Sequence, residues 1–322
     1  MLRHDGIAAS LSSMPATTTV PAELLPKEQC SNAAHIMPAL ERDHVQKVYD
    51  AVATQWHGTR YKAWPRVVDF IAQLAPRSLI ADLGCGNGKM ALACREHSHQ
   101  SIGCDFSIEL VRIAALQQGL QAQAADVMAV PYRSGIFDAA LSIAVLHHIS
   151  TPERRELLVS ETLRVLRPGG VALFYAWAAE QDDGGRSGHQ FESSDVFVAF
   201  HNRLPKAPKA PKNRNPNSSP EGRQRHSESD HAEADANSRK VSEAQLVAQR
   251  EEGSGSLGGL AAQEAMGGVF DPSKRSVVFQ RYCHVYRKGE LRALVLTVGG
   301  VQILEEYYDT GNWCLIARKD CG

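Results

Sequence analysis

Apolar residues recur at helical spacing from His44 to Ala75: Val45, Val48, Tyr49, Val52 and Trp56, then Val67, Val68, Phe70, Ile71 and Leu74. Gly58 and Pro65 divide this stretch into two predicted helices around the loop 58–64. The period then shortens. Apolar runs at 78–83, 100–104, 121–125, 137–145 and 171–177 predict strands, and the segments 89–97, 107–118 and 153–166 predict helices. The run 137–145 is apolar apart from Asp138 and Ser142, as a central parallel strand covered on both faces requires. The alternation stops near residue 180 and resumes at Arg281. A helix at 290–298 and two strands, 301–308 and 313–318, close the pattern, with a turn at Thr310–Gly311–Asn312. Strands alternating with helices imply right-handed crossovers and a doubly wound, mostly parallel α/β sheet. The closing strand pair has no crossover, so the last strand is expected to be antiparallel and at an edge.

Composition changes the count of domains. The chain has 322 residues and is 43% hydrophobic, but from Gln181 to about Ser276 it is mostly Pro, Gly, Ser, Ala, Asn, Gln, Lys, Arg and Glu. About 95 residues of that kind bury too little apolar surface to offset their ordering entropy. The expectation is one domain over 43–204 and 277–319, a disordered N-terminal extension over 1–42, and a disordered basic and polar insert over 205–276. Charges balance at 35 basic against 36 acidic residues, which excludes a globally basic nucleic-acid binder and leaves local patches open. One such patch is Arg203, Lys206, Lys209, Lys212, Arg214, Arg223 and Arg225, with only Glu221 among them. Its Lys-Ala-Pro repeat favours extended chain, suited either to phosphate neutralisation or to a plain linker. The seven cysteines form no C-x-x-C pair, so reduced thiols and no metal site are expected. No apolar run approaches the ~20 residues of a membrane span.

Candidate chemistry begins at Asp82-Leu83-Gly84-Cys85-Gly86-Asn87-Gly88, between a strand and a helix. A glycine-rich turn lets backbone approach a ligand where a Cβ would collide. Its G-x-G-x-G spacing differs from the G-x-G-x-x-G of a pyrophosphate clamp. Asp105, followed by Phe106, ends the next strand, where a carboxylate can accept ribose hydroxyls. Asp126 ends the third, where it and the Val127 backbone can meet an adenine edge. Taken singly, these are turn glycines and helix caps. As a set they resemble the class I S-adenosylmethionine-dependent methyltransferases, which are Rossmann-like. That resemblance implies S-adenosylmethionine as cofactor, with Asp82, Gly84, Cys85, Gly86 and Gly88 at its methionine part. It places Asp105 and Phe106 at the ribose, Asp126 and Val127 at the adenine, and Ala144 beside the sulfonium.

Finer blocks narrow the resemblance. His44–Asp50, Thr59–Pro65, Asp82–Lys89, Ser142–His148, Glu153–Arg155, Tyr175–Gln181, Asp195–Val198, Arg281–Leu291 and Asn312–Trp313 occur in order. Together they resemble the eukaryotic tRNA methyltransferases that esterify 5-carboxymethyluridine at the wobble position. Ala63 stands where that family carries Pro, and Cys283 where it carries Tyr or Phe. The acceptor carboxylate has a reference pKa near ~4, so no strong general base is needed. Arg60, Tyr61, His147, His148 and Arg287 are the candidates for orienting it. His147 and His148, taken as extended chain, would face opposite ways, leaving one of them structural; Trp177 and Tyr282 read as core or pocket wall. The resemblance implies a tRNA anticodon as substrate and a cytoplasmic location, with the nucleus as a second. It also implies a small zinc-binding activator subunit as heterodimer partner. Strand 121–125, at the sheet edge, with Val127, Met128, Val130 and Tyr132 exposed beside it, is where that partner is expected to dock. A methyltransferase acting on a small molecule, and a non-catalytic RNA- or partner-binding paralogue, are the competing readings.

Overall fold

The computed structural model describes residues 17–26, 34–59, 63–181, 190–204 and 256–321. Its larger sheet holds β2 (Leu79–Leu83), β3 (Gln100–Asp105), β4 (Gln121–Ala124), β5 (Phe137–Ile143), β6 (Leu166–Trp177), β10 (Val301–Asp309) and β11 (Asn312–Lys319). Their order across the sheet is β10-β11-β6-β5-β2-β3-β4. The five strands from β2 to β6 run parallel, and β11 is antiparallel to both its neighbours. The last strand is antiparallel as its missing crossover requires, but it lies inside the sheet, and β10 takes the edge. The chain winds from β2 outward to β4, then returns to β5 on the other side of β2. Strand order therefore reverses between β2 and β5, the place where α/β sheets open a crevice at their carboxyl ends.

Period-2 alternation sorts the sheet's apolar side chains onto two faces. Ile80, Ala139, Leu141 and Leu173 pack with Val67, Phe70 and Ile71 of α3 (Pro65–Ala72) and with Met90, Ala93 and Cys94 of α4 (Met90–Glu96). Ala81, Leu83, Ala140 and Phe174 pack with Leu158, Val159 and Leu163 of α6 (Pro152–Val165) and with Leu291 and Val295 of α8 (Glu290–Val298). Helix α6 starts where its sequence says it should: Thr151 accepts from the Arg154 backbone N–H at 3.2 Å, and Pro152 follows in the first turn.

A second, antiparallel sheet was not expected. It consists of β1 (Thr17–Thr19), β7 (Asp195–Arg203), β9 (Ser276–His284) and β8 (Val269–Asp271), in that order. Val48 and Val52 of α2 (Lys47–Thr59) pack on Val277 and Phe279 of β9, while Tyr49 and Ala53 meet Phe197 and Tyr282. This sheet holds α2 over the carboxyl ends of the larger one. It also corrects two boundaries. Within 1–42, Thr17–Thr19 pairs with Val196–Val198, and Ala39–Glu41 begins a helix with Leu40 and Glu41 buried. Within 205–276, the helix α7 (Ser256–Ala265) and β8 precede Ser276, the first residue of β9. Composition hid the first because its partner Val196–Val198 is far away in sequence, and the second because two short elements adjoin a long polar stretch. The basic residues from Lys206 to Arg225 lie outside the described residues.

The pairing also explains how a long insert is tolerated. Strands β7 and β9 form one hairpin whose last pair is Arg203↔Ser276. The chain between them leaves and returns at adjacent points, and the entropy of closing such a loop grows only logarithmically with length.

Candidate active site

At the reversal point lies a cleft with Asp82, Gly84, Cys85, Gly86, Asp105, Phe106, Asp126, Val127 and Ala144 in its walls. Each was expected at a cofactor. Gly84 and Gly86 both have positive φ, at 79° and 53°. A Cβ on Gly84 would stand 2.3 Å from Val145 Cγ2, whereas one on Gly86 would meet no protein atom within 4 Å. Gly84 is thus required by the fold, and Gly86 leaves free space that a ligand can enter. Gly88 differs from both. It is not part of the cleft wall, and a Cβ there would press on Ala114 at 3.0 Å, so its task is close packing of the turn on α5 (Ile108–Gln118).

The two buried carboxylates of the floor differ in satisfaction. Asp105 accepts from the Gly86 N–H at 2.8 Å and from the Ser107 N–H at 2.9 Å. Burial still pushes its pKa up to about 6, against those two bonds. Asp82 Oδ2 is buried and has no hydrogen-bond partner. Burial pushes Asp82 up to about 7, with Lys89 opposing and Asp105 reinforcing. An orphaned carboxylate oxygen at 3% residue exposure calls for a donor from outside the chain. The ammonium and ribose hydroxyls of S-adenosylmethionine are such donors, so the residues present fit that cofactor. Ala144 turns the chain away from β5 at φ 63°, an uncommon conformation for a residue with a Cβ.

The far wall comes from residues not singled out in the sequence. Glu41 and Arg154 form a buried ion pair at 2.9 Å, with side chains 5% and 2% exposed. Glu41 also accepts from the Ser150 N–H at 2.7 Å, and Arg154 reaches Asp126 Oδ2 at 3.4 Å. Tyr49 and Trp56, from α2, complete the apolar side with Val45 and Phe106. The blocks containing Tyr49 and Arg154 were visible, but a helix register does not say which side chain a distant carboxylate will meet.

The acceptor candidates divide. Arg60 and Tyr61 lie outside the described residues. Arg287 is exposed at the approach to α8, its backbone N–H donating to Glu290 Oε2 at 2.9 Å, and it is not part of the cleft wall. His147 and His148 sit on one helical turn, Leu146–His148, not on extended chain. Both are buried, with ring centres 4.2 Å apart. His147 stacks on Trp177 at 5.1 Å and is not in the cleft wall, whereas His148 is. His148 Nδ1 faces the Tyr282 carbonyl at 2.9 Å; a carbonyl only accepts, so Nδ1 carries the proton. Nε2 therefore accepts from the Tyr49 hydroxyl at 2.8 Å, and the Tyr49 oxygen in turn accepts from Arg281 Nη1 at 3.2 Å. Burial and the Arg281 charge hold His148 down to about 3, so it is neutral and committed at both nitrogens.

His147, His148 and Cys283 also bring three metal-ligand atoms within 4.8 Å of one another. The His148 bonds and the neighbouring Arg281 cation oppose a metal ion there, and burial pushes the Cys283 thiol up to about 11. The partner patch expected beside β4 is absent in that form: Val127, Met128 and Val130 are buried in the core and Tyr132 is partly buried. The exposed apolar residues on that flank are Ile108 and Leu116 of α5, at 59% and 81%.

The chain is similar to known proteins. A family model described as a methyltransferase domain matches residues 81–174. The chain is 37% identical over 306 residues to the tRNA (carboxymethyluridine(34)-5-O)-methyltransferase ALKBH8 of Macaca fascicularis, covering 87% of this chain and 44% of that protein. It therefore spans less than half of that relative. The tRNA (carboxymethyluridine(34)-5-O)-methyltransferase of Schizosaccharomyces pombe is 35% identical over 280 residues, covering 87% of this chain and 98% of that protein. The protein of that name in Arabidopsis thaliana is 30% identical, with coverages of 88% and 82%. With relatives at 35% and 30% identity matched over 98% and 82% of their own length, the chain belongs to the tRNA (carboxymethyluridine(34)-5-O)-methyltransferase family.

Proposed function

We propose that the protein methylates the carboxylate of 5-carboxymethyluridine at the wobble position of tRNA, using S-adenosylmethionine. The observation that carries this reading is the cleft at the β2–β5 reversal, with the unpartnered Asp82 oxygen on its floor, in a chain of this family. The cofactor, when bound, supplies a methyl group on a sulfonium, which an ionised oxygen takes up without loss of a proton. Asp82 would hold its ammonium, Asp105 its ribose hydroxyls, and Asp126 with the Val127 backbone its adenine. What remains for the chain is to bind, orient and exclude water. Val45, Tyr49, Trp56, Phe106, Val145 and Ile149 make the cleft apolar. No general base is required, and the neutral, doubly bonded His148 supports that view. The basic stretch from Lys206 to Arg225, outside the described residues, supports a tRNA substrate by its charge. The described chain reaches Leu204 just after Arg203, whose N–H donates at 2.6 Å to Gln55, the residue before cleft-lining Trp56.

A small zinc-binding activator subunit is proposed as partner. Strand β4 is the sheet edge, and its Gln121, Gln123 and Ala124 are exposed, leaving backbone groups for strand addition beside Ile108 and Leu116. Nucleoside mass spectrometry of tRNA incubated with S-adenosylmethionine and the protein, with and without co-expressed activator, tests both readings. Conversion of carboxymethyluridine to its methyl ester is expected, and more of it with the activator. No ester in either sample would remove the proposed activity. Full conversion without the activator, unimproved by it, would remove the partner.

A further inference from the structure

Arg281 is a buried guanidinium, 6% exposed, on β9. Nη1 donates to Tyr49, but Nε is buried and has no hydrogen-bond partner. Among the described residues no carboxylate lies within 4 Å of it, in contrast to Arg154. Its neighbours are neutral: the Tyr49 phenol, the Cys283 thiol, and the imidazoles of His147 and His148. Three rings surround it, with centroids at 5.9 Å (Tyr49), 5.7 Å (Trp56) and 5.1 Å (Trp177). Arg281 is not itself in the cleft wall, but Tyr49, Trp56 and His148, its neighbours, are.

A buried cation without a counter-charge is costly, and aromatic faces offset only part of that cost. An unmade hydrogen bond beside a ligand cleft points to a partner that arrives with the ligand. We infer that Arg281 is the receptor for the acceptor's carboxylate. Nε and the guanidinium edge take the oxygen that is not methylated, and the Tyr49–His148–Tyr282 chain of hydrogen bonds holds the guanidinium in place. This rests on the proposed function and deepens it, because it makes the negative charge of the acceptor the feature that is read. A neutral acceptor of the same shape would leave the cation unpaired, and such a mismatch discriminates more strongly than a missing contact does. The role belongs to Arg281 and not to Arg287, which is exposed.

The test uses two anticodon stem–loops that differ only at the wobble base, carboxymethyluridine in one and uncharged carbamoylmethyluridine in the other. Both are titrated onto the cofactor-loaded full chain, co-purified with its activator. The wild type should bind the acid about 10- to 100-fold tighter than the amide, the range of a charged hydrogen bond. Arg281→Gln should bring that ratio near one, lower kcat/KM on the acid by a similar factor, and leave cofactor affinity unchanged. Arg281→Lys, which keeps the charge but not the planar fork, should keep most of the ratio. A readout independent of tRNA is thermal stabilisation of the cofactor-loaded protein by acetate, expected for the wild type and lost in Arg281→Gln. Acetate stabilisation that depends on Arg281, with no tRNA methylation, would remove the proposed function and leave the carboxylate receptor standing. An Arg281→Gln protein that discriminates acid from amide, or responds to acetate, as the wild type does would overturn the inference.

Discussion

Arg154 lines the cleft and Arg281 lies behind its Tyr49, Trp56 and His148 wall, and the two are almost equally buried, at 1% and 6% exposure. Arg154 is neutralised from within: Glu41 pairs with it at 2.9 Å and Asp126 lies 3.4 Å away. Arg281 has a phenol, a thiol and aromatic faces, but no carboxylate within 4 Å among the described residues. The charge of Arg154 is thus balanced by the chain itself, while no carboxylate among the described residues balances that of Arg281, the receptor proposed for the acceptor. Burial alone does not distinguish a structural arginine from a binding one; the presence of a counter-ion does.

The sharpest way to break this comparison is to remove each charge and measure unfolding. Arg154→Met strands Glu41 as a lone buried carboxylate and should cost about 3–5 kcal/mol of stability. Arg281→Met strands no partner charge, so its stability in denaturant titration should be unchanged or higher while methylation is lost. Equal destabilisation by the two would show that Arg281 is a structural cation after all.

Asp82 sharpens the cofactor side, as an orphaned acceptor to set against the orphaned donor of Arg281. Its pKa is raised from 3.8 to about 7 by burial, so the folded state holds the proton more tightly than the unfolded chain does. The stabilising contribution is therefore complete below about 4 and is lost as pH rises through about 7. The melting temperature of the cofactor-free protein should fall across that window. Asp82→Asn should remove most of the fall, leaving the smaller part due to Asp105, whose own value is about 6. A slope unchanged by Asp82→Asn would place the titrating group elsewhere.

The smallest effect concerns the basic stretch that follows Leu204 in the sequence. Deleting Pro205–Pro220 removes Lys206, Lys209, Lys212 and Arg214. The slope of log tRNA affinity against log salt should flatten by at most about 0.9 per charge that had met a phosphate. Cofactor affinity should not change. An unaltered slope would reduce the segment to a linker and leave tRNA recognition to the folded domain.

The larger sheet was legible because its signals are local. The alternation around Ile80–Leu83 and Ala139–Leu141 names both faces of a strand within a few residues. Gly84, Gly86, Asp105 and Asp126 sit at strand ends that the same alternation locates. The second sheet was not legible, because β7 and β9 become neighbours only when Arg203 meets Ser276 across the long polar stretch. The patch beside β4 failed for a related reason: Val127, Met128 and Val130 look exposed next to a polar edge strand, yet they turn inward under α6.

What the amino-acid order determined by itself is therefore the doubly wound sheet, the glycine turn and the acidic strand ends, all set by dihedral preference and short-range periodicity. Only the tertiary structure decided which buried charges are paired. Glu41 and Arg154 are 113 positions apart, Tyr49 and His148 99, and Tyr49 and Arg281 232. The energy of a buried charge is set by the groups within a few ångströms of it, and at those separations no local pattern specifies them.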